Sequence, residues 1–106
     1  MQATKSNKAF SEIIRTEPLV LVDFFTEWCG PCKMMKPILE QVHTLMGDQV
    51  KILKVDVDKN PNAGQAFQIR GVPTLILFKR GEIVWRQSGV VSAVALQQII
   101  NKHQSH

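Results

Sequence analysis

Only two cysteines occur in the 106 residues, and they stand three apart, at Cys29 and Cys32, within Trp28-Cys29-Gly30-Pro31-Cys32. Two thiols at that spacing can close on each other, so the first chemistry to consider is reversible dithiol–disulfide exchange. The same spacing also suits half of a zinc site, which needs four ligands in one sphere. The histidines do not supply them. His43 lies eleven residues beyond Cys32 on the same predicted helix, about 16 Å along its axis, and His103 and His106 belong to the far terminus. A structural staple is the weaker reading as well, because so small a loop removes little freedom from the unfolded chain. No metal and no cofactor are expected.

The elements around the pair decide which sulfur reacts. Leu19 to Phe25 reads LVLVDFF, a near-continuous apolar run of the kind buried on both faces of a sheet. After the cysteines, Met35, Ile38, Leu39, Val42, Leu45 and Met46 recur at threes and fours, the stripe of an amphipathic helix. Cys29 therefore falls at the helix start, where unpaired N–H groups and the helix dipole favour a thiolate. Cys32 sits one turn in, on the same face. Pro31 suits the first turn, and Gly30 lets a partner backbone come close. Asp23 is the one charge in the apolar strand, a costly place for a carboxylate and a candidate functional acid.

These residues, VDFFTEWCGPCKMMKPIL, resemble the active-site stretch of the thioredoxin family, and RGVPTLILFKRGE from Arg70 to Glu82 resembles its second signature. The resemblance spans roughly residues 19 to 103. It implies an α/β, three-layer fold: a central mixed sheet of about four strands with helices on both faces. It implies a protein disulfide reductase in which Cys29 and Cys32 form the redox-active pair. Asp23 matches the family's buried aspartate, which assists proton transfer at the second cysteine, and Lys54 matches its partner; alone, Lys54 reads as an ordinary solvated strand residue. Val72-Pro73 resembles the cis-proline turn that faces the dithiol, a geometry spacing alone would not predict. Trp28, Gly30, Pro31, Val72, Pro73, Gly89 and Val90 would then form an apolar substrate-binding rim around Cys29. Phe25, Thr26 and Lys36 depart from the family's usual residues. The implied partners are disulfide-containing proteins and a flavin-containing, NADPH-dependent thioredoxin reductase. The rivals are an oxidant or isomerase on the same fold, against which Gly30-Pro31 between the cysteines resembles the reductases, and a binding module or accessory subunit that uses the apolar rim without redox turnover, against which the intact cysteines weigh.

Length and composition agree with one domain over 1–106, residues 1–6 being loose and Met1 to Lys5 adding no more than a frayed edge to the sheet. An apolar share of 44% against 21% charged residues suits a globular chain. The net charge of +4 arises from scattered residues with no dense basic block, which argues against nucleic acid. No membrane-spanning stretch and no signal-like core are present, so a cytoplasmic protein is expected, and a monomer. Along the chain, a short helix over Asn7 to Thr16 ends before Pro18, and Pro37 should kink the long helix. A strand over Val50 to Val57 precedes a short helix carrying Ala63, Ala66 and Phe67. Thr74 to Lys79 and Glu82 to Ser88 form a hairpin around Arg80-Gly81. Ser92 should cap a last helix that turns Val94, Leu96, Ile99, Ile100 and His103 to one side.

Overall fold

The structure, a computed structural model, describes residues 2, 3 and 7–104. Strand β1 (Gln2–Ala3) and helix α1 (Asn7–Thr16) lead into β2 (Leu19–Phe25) and the long helix α2 (Gly30–Met46). Then come β3 (Lys51–Asp56), α3 (Pro61–Ala66), β4 (Thr74–Lys79), β5 (Glu82–Ser88) and α4 (Ala93–His103). Among the described residues these five strands form one sheet in the order β1-β3-β2-β4-β5. The first three run parallel, and β4 and β5 are each antiparallel to their inner neighbour.

Four of these are the full strands expected from the sequence. Gln2 and Ala3 add a two-residue edge opposite Leu53 and Lys54, so this part of the terminus, expected to be loose, is paired. Pairing there needs only the free N–H and C=O groups of β3, not β-branched side chains. Met1 and residues 4–6, also expected to be loose, lie outside the described residues.

Alternation along β2 divides the core in two. Leu19 and Leu21 pack with Leu75 and Leu77 beneath α2 and α4, through Met35, Leu39, Val42, Leu96 and Ile100. Val20, Val22 and Phe24 pack with Leu53, Ile76 and Phe78 beneath Phe10 and Ile14 of α1 and Ala63 of α3. Phe67 closes that second cluster, its ring 5.3 Å from that of Phe78 and 5.7 Å from that of Phe24. Asp23 stands two residues beyond Leu21 and so on the α2 face.

Two apolar residues read as buried are exposed, Leu45 at 48% and Val94 at 61%. The reason is helical geometry. Val94 is two residues from Leu96, about 200° round the helix, whereas Ala93 stands two turns before Ile100 and is buried in Val94's stead. Leu45 lies at the margin of the α2 stripe, to one side of Leu39, Val42 and Met46. Helix α2 runs on through Pro37. Ser92 caps α4 as its position predicts, its Oγ accepting the Ala95 N–H at 3.2 Å.

Candidate active site

The parallel pairing of β2 and β3 places the ends of both strands, and the loops after them, on the same side of the sheet. Cys29 is the N-cap of α2, in extended backbone conformation, and its Sγ accepts the Cys32 N–H at 3.1 Å. Gly30 and Pro31 occupy the first helical positions, where the missing proline N–H leaves no helical bond broken. Cys29 and Cys32 are joined as a disulfide, with Cα atoms 5.3 Å apart. The same N–H groups would stabilise a thiolate at Cys29 after reduction.

The two sulfurs do not differ in burial: Cys29 is 4% exposed and Cys32 5%. A contrast between an open Cys29 and a buried Cys32 is therefore absent from the disulfide form. The asymmetry is one of placement. Cys29 lines a groove of about 440 Å³, together with Trp28, Gly30, Pro31 and Val72, and Cys32 does not. The Cys29 Sγ lies 3.6 Å from the carbonyl oxygen of Val72. A Cβ built on Gly30 would meet nothing within 4 Å, which leaves that side open to a partner chain.

The Val72–Pro73 peptide is cis, as the resemblance implies. Pro73 stands behind Val72, its carbonyl accepting the Gly89 N–H at 2.8 Å, and the Thr74 hydroxyl donates to Gly71 O at 2.6 Å. Gly89 has φ of 93°, a conformation that favours glycine. Pro73, Gly89 and Val90 are not among the groove's lining residues; Val90 is exposed at 39%.

Trp28 is 74% exposed, so it belongs to the surface and not to the core. Its indole N–H donates to Asp58 Oδ2 at 2.8 Å. Asp58 is set in turn by Asp56, whose Oδ1 accepts the backbone N–H groups of Asp58 and Lys59. Asp58, Val57, Thr26, Ile69, Arg70 and Gly71 complete the groove, and none was among the candidate site residues. A signal for Asp58 existed: it directly follows the strand expected over Val50 to Val57.

Asp23 is fully buried, and neither carboxyl oxygen has a hydrogen-bond partner among the described residues. Desolvation raises its pKa from 3.8 to about 6, with the charge of Lys54 pulling the other way. Lys54 is its register partner on β3, and the ammonium sits 4.7 Å from the centroid of the Phe25 ring. No three His, Cys, Asp or Glu side chains cluster as a metal site among the described residues. Among the same residues no helix is long and apolar enough to cross a membrane.

A dithiol at the start of the helix that follows a central strand, faced by a cis-proline turn and held on a mixed sheet with helices on both sides, defines a thiol–disulfide oxidoreductase. The family model described as Thioredoxin matches residues 1–102. Thioredoxin of Bacillus subtilis is 44% identical over 88 residues, covering 83% of this chain and 85% of that protein. A thioredoxin-like protein of Synechocystis is 46% identical over 99 residues, covering 92% of this chain and 94% of that one. Among solved structures, a mutant thioredoxin of Halobacterium salinarum superposes with a TM-score of 0.89 at 32% identity, over 99% of this chain and 91% of that chain. Thioredoxin of Plasmodium falciparum gives a TM-score of 0.87 at 35% identity, over 97% and 99%. The chain belongs to the thioredoxin family. Members of this family act on disulfide-containing substrates, and Cys29–Cys32 is the redox-active pair of this one.

Proposed function

We propose that the chain reduces protein disulfides, with Cys29 as nucleophile and Cys32 as resolving thiol. The thiolate of Cys29 attacks one sulfur of the substrate disulfide and expels the other as a thiolate, leaving a mixed disulfide. Cys32 then gives up its proton, attacks Cys29 Sγ and releases the second substrate sulfur. The substrate gains two electrons, and Cys29–Cys32 returns to the disulfide. Asp23, its pKa raised by burial to about 6, accepts the Cys32 proton, and Lys54 moderates its charge. Trp28, Gly30, Pro31 and Val72 receive the partner chain as an extended segment, with Pro73, Gly89 and Val90 shaping the far side of the rim.

The observation that carries this reading is the position of Cys29: helix N-cap, groove wall and 3.6 Å from the Val72 carbonyl at once. A flavin-containing, NADPH-dependent reductase would restore the dithiol, in the cytoplasm and with this chain as a single domain and a monomer. Insulin reduction coupled to such a reductase tests the proposal through NADPH consumption. Catalytic turnover that is lost in Cys29→Ser is the expected result. Equal turnover by the serine variant would overturn it.

A further inference from the structure

Strand β5 contributes no residue to the groove lining, yet one of its side chains holds the segment from which the groove wall is made. Arg86 Nη1 donates to Phe67 O at 2.7 Å, and Nη2 donates to Gln68 O at 3.1 Å. These are the carbonyls just past α3, where helical partners run out and a cation is favoured. The chain bends sharply at this point. Gln68 takes a φ of 53°, and the Ile69 N–H turns back to Gly64 O at 2.8 Å. The next four residues, Ile69 to Val72, all line the groove. The planar guanidinium fork fits two neighbouring carbonyls, which a single ammonium does less well.

We propose that Arg86 is a positioning residue for substrate recognition: it ties the wall over Ile69 to Val72 to the sheet, so that the Val72 backbone faces Cys29 in the register an extended partner needs. The inference rests on the disulfide-reductase reading above. Arg86 is opposite Ile76 in the β4–β5 pairing, so its backbone is part of the sheet. The far end of the wall is tied to β5 too. Thr74 Oγ1 is 3.1 Å from Ser88 Oγ, and Gly89 bonds Pro73. Losing Arg86 frees the near end only. The Phe67 ring stays among Phe10, Phe24 and Phe78, so the wall shifts and the domain remains folded.

A shifted wall affects a partner that pairs with backbone more than one that needs only the Cys29 sulfur. The test compares single-turnover rates of the reduced full chain with insulin and with a small aromatic disulfide. Arg86→Ala should slow the insulin reaction about tenfold, a part of what misplacement by an ångström can cost, while the small disulfide stays within about twofold. Arg86→Lys should fall between, and amide exchange at Arg70, Gly71 and Val72 should quicken in the alanine variant. If both disulfides slow alike, or neither slows, the inference fails. Should Arg86→Ala not fold, the lysine variant decides, and an unchanged insulin rate there refutes the proposal. Failure of the underlying reading looks different: the unaltered chain would then reduce insulin no faster than free dithiothreitol.

Discussion

Asp23 and Lys54 are direct register partners in the parallel pairing of the two central strands, yet the Asp23 carboxyl forms no hydrogen bond with any described residue. The ammonium rests over Phe25 instead. Burial therefore outweighs attraction, and the acid titrates at about 6 instead of 3.8. Between these two values the folded state holds a proton that the unfolded state has lost, so stability falls as pH rises, and the penalty is complete above the folded pKa. Its full size is roughly 3 kcal/mol. Asp23→Asn should thus stabilise the chain above about pH 7 by up to that amount and have little effect below about pH 4. Resolution of the mixed disulfide should slow in the same variant. Urea melts across pH, beside single-turnover kinetics, check both halves; a variant destabilised at pH 8 would contradict the first.

The roles of the two sulfurs are separable by trapping. Cys32→Ser should accumulate long-lived mixed disulfides with insulin, and Cys29→Ser should accumulate few. In the reduced chain Cys29 should alkylate first near neutral pH, because the helix N-terminus stabilises its thiolate and it lines the groove. Peptide mass mapping after brief iodoacetamide treatment reads this directly. Equal labelling of the two cysteines would remove the assigned order of attack.

The bond from Trp28 to Asp58 fixes an exposed ring beside the nucleophile. Both partners lie at the surface, so Asp58→Ala should change stability by less than about 1 kcal/mol. Its consequence should be mobility. In a Trp85→Phe background, which leaves Trp28 as the sole indole, fluorescence anisotropy should drop on introducing Asp58→Ala. Unchanged anisotropy would mean that the ring is held by packing alone.

Ser92 marks the start of the helix that packs with α2 over one face of the sheet. Its Oγ accepts the Ala95 N–H, a donor without a helical partner. Ser92→Ala should cost about 1 kcal/mol in denaturant melts, while Ser92→Asp should retain most of the stability. An alanine variant as stable as the parent would show that the cap adds nothing here.

What the sequence determined by itself is what neighbours along the chain encode. The apolar run before the cysteines and the stripe after them place Cys29 at a helix start, and α1, β4 and β5 occupy the predicted residues. The lone charge in LVLVDFF already marked Asp23 as perturbed. Other features depend on packing. Leu45 and Val94 match an apolar pattern yet face solvent, because how far a helix is covered is set by what lies against it. Lys54 reads as an ordinary strand residue until the register of β2 and β3 sets it beside Asp23. The groove joins Cys29 to Val72 across 43 residues, and Trp28 to Asp58 across 30. Arg86 reaches back 19 residues to hold the groove wall. Such contacts have no periodicity: the approach of Val72 to the dithiol was legible only through the family resemblance, and the contacts themselves form once the sheet brings distant segments together.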